Sequence, residues 1–124
     1  MFYLNKKMKE YGTIRVSIVG LGLMGGSLLD QLLRLEGFRP TIVAARDKDR
    51  IINKLKKLNI SENDFVFTND IVEAISAYER NLIIATTNLE LATMRIFSDC
   101  VCDATGSVEL GCNITLRALK NKVH

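Results

Sequence analysis

The chain has 124 residues, 48% of them apolar and 25% charged, and a net charge of +3. It is long enough to bury one core and short for a two-domain enzyme. The mild positive balance suits an anionic ligand. Because the basic residues are scattered among acids, they form no nucleic-acid footprint, and no apolar run approaches the length of a membrane span.

Met1–Glu10 carries three lysines and no long apolar stretch, so it reads as neither a signal peptide nor a span. Residues 1–12 are expected to be a flexible leader and residues 13–124 a single domain. The cysteines are Cys100, Cys102 and Cys112. Their odd number and spacing argue against a disulfide framework and place the chain in a reducing compartment, by default the cytoplasm. Cys-x-Cys without further ligands is a poor zinc signature. In a strand, Cys100 and Cys102 would share one face as buried thiols.

In chain order, Ile14–Val19 predicts a buried strand ending at Gly20. A helix is expected from Leu23 to about Glu36, with Leu28, Leu29, Leu32, Leu33 and Leu35 forming a broad apolar face. Gly37 and Pro40 sit where a helix should stop, and Thr41–Ala45 predicts the second strand. A charged helix follows from about Lys48 to Leu58, with Ile51, Ile52, Leu55 and Leu58 inward. Phe65–Phe67 predicts a third strand, and Thr68-Asn69-Asp70 a cap for a helix over Ile71–Tyr78. Leu82–Ala85 predicts the fourth strand, Leu89–Phe97 a short helix and Cys100–Ala104 the fifth strand. A last helix covers Val108–Lys120. Nearly all-apolar strands alternating with helices imply an α/β, Rossmann-type doubly wound, mainly parallel sheet with helices on both faces.

The segment Gly20-Leu21-Gly22-Leu23-Met24-Gly25 follows a predicted strand and opens a predicted helix, the context that gives a GxGxxG pattern its meaning. Gly20 permits a tight turn, Gly22 lets phosphates approach the backbone, and Gly25 lets the helix pack on the strand. The helix start then offers free N–H groups to the pyrophosphate of NAD or NADP. Gly20, Gly22, Leu23, Met24 and Gly25 are therefore the first candidate cofactor-binding residues.

An acidic ribose ligand is expected about 20 residues beyond the loop, where this chain has Ala45. Two readings follow. Arg46, helped by Arg50, would bind the 2′-phosphate of NADP, a small residue plus a guanidinium being what that group needs. Alternatively, Asp47 would bind the ribose of NAD. The bland reading makes the run a solvated helix start.

Ile18-Val19-Gly20-Leu21-Gly22-Leu23-Met24-Gly25-Gly26-Ser27-Leu28 resembles the opening of prephenate and arogenate dehydrogenases, the oxidoreductases of tyrosine biosynthesis. Leu82-Ile83-Ile84-Ala85-Thr86 and Val101-Cys102-Asp103-Ala104-Thr105-Gly106-Ser107-Val108 resemble later segments of that family, so the likeness spans roughly residues 14–110. The resemblance implies hydride transfer to the nicotinamide with oxidative decarboxylation. It also implies a nicotinamide side lined by Thr86 and Thr87, and a serine, matched by Ser107, that orients a catalytic histidine. That histidine lies in a His-Pro motif further on, followed by a helical domain, and His124 does not match it. The chain departs from the family at Thr87 (proline there), Ala45 (aspartate) and Glu109 (lysine). No general acid or base is visible, so a helical partner domain or chain would have to supply one.

Two further readings stand beside this one. Gly-x-Gly-x-Met-Gly with Ala45-Arg46 is also similar to pyrroline-5-carboxylate reductase-like and deazaflavin-dependent NADP reductases. A non-catalytic nucleotide-binding module is the alternative outside enzymology, since a Rossmann sheet does not dictate chemistry. In every case Ile114, Leu116, Leu119 and Val123 are expected to present an apolar face for a homo-oligomer or a partner domain.

Overall fold

β1 (Ile14–Val19) runs through the middle of a five-stranded sheet and is followed by α1 (Leu23–Arg34). The remaining elements are β2 (Phe38–Ala44), α2 (Lys48–Lys57), β3 (Phe65–Phe67), α3 (Ile71–Glu79), β4 (Ile83–Thr86), β5 (Cys100–Asp103) and α4 (Val108–Lys120). The structure is a computed structural model and describes residues 13–106 and 108–124, so the expected leader lies outside the described residues.

All pairings are parallel, in the order β3-β4-β2-β1-β5. The sheet is doubly wound. Leu29 and Leu32 of α1 and Ile51 and Leu55 of α2 bury against one face, with Val16, Ile18 and Val43. Ala74 and Ala77 of α3, Leu91, Ala92, Phe97 and Ile114 of α4 bury against the other, with Val19, Ile42 and Ile84. The expected fold class is therefore observed, but the strand order is its own. In the common dinucleotide-binding order 3-2-1-4-5-6 the fourth strand would flank the first. Here β4 stands between β3 and β2, and β5 takes the place beside β1.

Several expected boundaries are corrected. β2 begins at Phe38 and contains Pro40, which the sequence marks as a stop. The strand absorbs it where the β1–β2 register slips between Val16 and Ser17, and before pairing with β4 begins at Ile42; a missing N–H is tolerated at such a place. The expected helix over Leu89–Phe97 is only a 3₁₀ turn, Leu91–Thr93. Asn88 Oδ1 accepts from the Glu90 N–H, and the Thr93 hydroxyl donates to the Glu90 carbonyl. These local bonds compete with helix continuation.

The face expected to be apolar on α4 divides. Ile114 and Val123 are buried, whereas Leu116 and Leu119 are 63% and 68% exposed. Val123 returns to the core because the helix ends in a left-handed residue, Lys122. Its own N–H bonds the Ala118 carbonyl, and that of Lys122 bonds Leu119, a Schellman ending. α2 and α3 stop the same way at Asn59 and Asn81, which turn Ile60 and Leu82 inward. Among the described residues no helix is long and apolar enough to cross a membrane.

At the end of the sheet where the strands begin, Arg15 gathers the β4–β5 connection. Its guanidinium donates to both Asp99 oxygens, to the Tyr78 hydroxyl and to the carbonyls of Arg95 and Ile96. Tyr78 in turn meets Phe97 edge to face at 5.9 Å. The Arg15 hydrogen bonds hold the Asp99 carboxyl below the usual carboxylate range, against the opposing effect of burial.

Two expectations follow. Phe97, fully buried, should cost about 3–5 kcal/mol when truncated to alanine, read by urea denaturation. The ionised Asp99 carboxylate contributes stability above the ordinary aspartate pKa of about 3.9, and that contribution disappears as pH falls below it. The stability gap between the native chain and Asp99→Asn should therefore be full at neutral pH and shrink on acidification below about pH 4. A gap that is constant with pH would exclude this role for the ion pair.

Candidate functional site

Where β1, β2 and β5 end, the chain leaves a cleft of about 300 Å³ lined by Val19, Gly20, Leu21, Gly22, Ala45, Arg46, Asp47, Arg50, Leu89, Ala104 and Thr105. The cleft lies at the sheet's switch point. The chain leaves β1 towards α1 on one face and leaves β5 towards α4 on the other, and a crevice between carboxyl ends of this kind is where open α/β sheets bind ligands.

Glycines shape its floor. Gly20 has φ +95°, and a Cβ there would stand 2.7 Å from the Ala104 carbonyl oxygen, so β5 presses directly on the turn. A Cβ on Gly25 would overlap the Gly20 carbonyl, which is why α1 can start so close to β1. Gly22 is different in kind. A Cβ there would meet nothing within 4 Å, so its lack of a side chain leaves free space over the backbone rather than relieving a clash. Gly26, the second half of the double glycine, makes room for the Lys54 side chain of α2.

Gly22 is also the N-cap of α1. It provides no side-chain hydrogen bond, and the first turn holds no acidic residue. The other α-helices with a described cap are satisfied: Asp47 accepts from the Asp49 N–H at α2, and Asp70 from the Glu73 N–H at α3. An uncapped helix start opening on empty space offers free donors and a partial positive charge, the features that favour an anion. Arg46 and Arg50 add two cations along the β2 side of the cleft. Neither is ion-paired among the described residues, in contrast to Arg15, Arg34 and Arg117. Ala45 continues the strand, its N–H bonding the Thr86 carbonyl at 3.1 Å, so Arg46 is the first side chain beyond the sheet.

The structure thus brings together Gly20, Gly22, Arg46, Asp47 and Arg50, with Gly25 packed just behind them. Leu23 and Met24 belong to the first turn of α1 but are 84% and 79% exposed and do not line the cleft. Thr86 and Thr87 are not among its lining residues either. Asn69 holds both: its Oδ1 accepts from the Thr86 hydroxyl and from the Thr87 and Asn88 N–H groups, and its Nδ2 donates to the Thr87 hydroxyl. The Thr68-Asn69-Asp70 group, read from sequence as a helix cap, therefore has two functions. Asp70 caps α3, and Asn69 ties the β4 turn to the β3 turn. Ser107 lies outside the described residues.

Sequence reasoning passed over Leu21, Leu89, Ala104 and Thr105. Thr105 had a signal in its spacing from Asp103. The Asp103 Oδ1 accepts from both the N–H and the hydroxyl of Thr105, forming the turn that places it at the cleft. Leu89 had none, since only the crossing from β4 to β5 carries it there.

No protein-family model matches the chain, and no curated protein matches it in sequence. Among solved structures it is similar to scyllo-inositol dehydrogenase from Lactobacillus casei with bound cofactor NAD(H) and scyllo-inositol, at TM-score 0.61 and 13% identity, over 90% of this chain and 26% of that one. The apo form of the same enzyme matches equally well, over 90% of this chain and 27% of that one. The chain spans about a quarter of the length of these solved chains, and at this identity what they share with it is the fold.

Proposed function

We propose that this chain is the nicotinamide-dinucleotide-binding domain of an oxidoreductase, with the pyrophosphate held at Gly20–Gly22 over the start of α1. The observation that carries the reading is the pairing at Gly22 of an uncapped helix N-terminus with open space where any other residue would place a side chain. The residues fit the group: two backbone segments free to approach, helix donors, and two guanidinium groups nearby that have no ion pair among the described residues. The similarity in fold to a dehydrogenase with bound NAD(H) supports the same reading.

NADP(H) is the preferred cofactor. Arg46 and Arg50 flank the end of β2 where a 2′-phosphate would lie, and no carboxylate stands at Ala45 to repel it. The rival ribose ligand, Asp47, already uses Oδ1 to cap α2. When bound, the nicotinamide supplies a hydride acceptor or donor. The chain's own residues bind and orient it: the glycine turn at the phosphates, Arg46 at the ribose end, and Leu21 and Leu89 as apolar walls.

Within this class we favour a relative of prephenate and arogenate dehydrogenases, on the sequences Gly25-Gly26-Ser27-Leu28 and Asp103-Ala104-Thr105-Gly106-Ser107. Ser107 would then be a positioning residue for the catalytic group, and Thr86 and Thr87 would approach the nicotinamide end. The described cleft residues include no acid or base placed for proton transfer. We assign that task to a helical domain or chain docking beside the cleft, with exposed Leu116 and Leu119 as apolar contacts for it or for a second copy.

Titration with NADPH and NADH, followed by calorimetry, tests this. NADPH should bind more tightly. Arg46→Ala should weaken NADPH by about 10- to 100-fold, the worth of a charge-assisted hydrogen bond of roughly 1.5–3 kcal/mol, and leave NADH nearly unchanged. A preference for NADH that is indifferent to Arg46→Ala would transfer the ribose contact to Asp47. Gly22→Ala should keep the native melting temperature, since the added methyl meets no protein atom, yet lose both cofactors. Failure of the native chain to bind either would overturn the reading.

A further inference from the structure

β5 is covered unequally on its two faces. Val101 points to the face covered by α3 and α4, and Asp103 stands against Gly111 of α4. Cys100 and Cys102 point the other way and pack against the α1-side cluster that holds Val16, Ile18, Leu29 and Leu32. They share a face, as expected, but they are half-buried rather than buried, so solvent reaches the pair. The register places them beside Val16 and Ile18 of β1, so Cys102 is two residues before the cleft residue Ala104.

The two thiols act on each other across that face: Cys100 holds the Cys102 thiol down to about 7 against the effect of burial, and Cys102, with burial, pushes that of Cys100 up. A disulfide does not fit this arrangement. Residues i and i+2 of a strand are separated by roughly 6.6 Å, and their parallel Cβ atoms by about as much, whereas a disulfide requires Cβ atoms about 3.5–4.5 Å apart. Two sulfurs on one strand face at such a spacing can instead share one ion. With metal–sulfur bonds of about 2.3 Å, two sulfurs on opposite sides of a metal lie roughly 4.6 Å apart.

Zinc would require four ligands, and among the described residues no group of three His, Cys, Asp or Glu side chains could hold a metal. A two-thiolate site therefore selects a soft ion content with two ligands. We propose that Cys100 and Cys102 form a two-coordinate site for copper(I) on the α1 side of β5. Coordination replaces the S–H protons, which pass to the buffer. The metal remains cuprous, so no oxidant or reductant takes part. Because β5 borders β1 and leads into Ala104 and Thr105, a bound ion would stiffen the strand pair that carries the glycine turn.

The test is anaerobic competition for Cu(I) between the reduced chain and bicinchoninate, read from the colour of the chelator complex. The native chain and Cys112→Ser, altered on α4 across the sheet, should each withdraw one equivalent. Cys100→Ser and Cys102→Ser should each lose more than about 100-fold in affinity, since even an outer partner of a metal ligand is worth roughly 10–100-fold. Unchanged retention in either variant, or loss in Cys112→Ser, overturns the proposal. Copper X-ray absorption on the native loaded chain gives a readout that depends on no variant folding. Two sulfur neighbours support the site, and a third sulfur or any nitrogen or oxygen neighbour overturns it.

Discussion

The space that a side chain at Gly25 would need is occupied by the carbonyl of Gly20. Everything at the cleft depends on that contact. It draws α1 down onto the end of β1, so that the helix begins at the sheet's edge and its first N–H groups open on the crevice. The same turn is pressed from the other side by Ala104, which denies Gly20 a side chain and holds its backbone at positive φ. Three segments remote in sequence, the β1 turn, the α1 start and the β5 end, thus meet within van der Waals reach. Of the three glycines of the turn, Gly22 alone has open space where a side chain would stand.

Polar groups are distributed to match. At the end of the sheet where strands begin, charge is consumed internally: Arg15 donates to Asp99, Tyr78 and two carbonyls, and Ser17, Thr41 and Ser98 share hydroxyl bonds within the core. At the opposite end the donors are left over. α1 lacks a side-chain cap, Arg46 and Arg50 lack ion-pair partners among the described residues, and Asp47, the carboxylate among the lining residues, is occupied in capping α2. A fold normally satisfies its helix ends, so the open donors at the start of α1 beside two exposed cations are what the proposed cofactor site rests on.

Local signals foretold much of this. The apolar runs of β1 and β4 and the spacing of Leu29, Leu32, Ile51 and Leu55 identified strands and inward helix faces, because burial on both sides of a sheet leaves a pattern that the sequence must carry. The glycine spacing located the turn and the cleft. Local reading failed where distant contacts overrule local preference. Pro40 signals a stop, yet a register slip lets β2 run through it. Leu89–Phe97 has a helical pattern, yet side-chain bonds from Asn88 and Thr93 confine it to a single turn. Val123 looked like part of an exposed stripe, and a left-handed Lys122 returns it to the core.

The sequence by itself determined the class of fold, the position of the glycine turn and the identity of the cations beside it. These follow from period, glycine spacing and residue type, which act over a few residues. Tertiary structure alone decided the order of the strands, and with it that β4 pairs with β2, that Asn69 rather than the cleft engages Thr86 and Thr87, and that Leu89 joins the site. Parallel strands of similar apolar composition carry no label for their neighbours. Which two lie together is set by the crossing connections and by the packing of helices on each face, and neither is encoded within the strand itself.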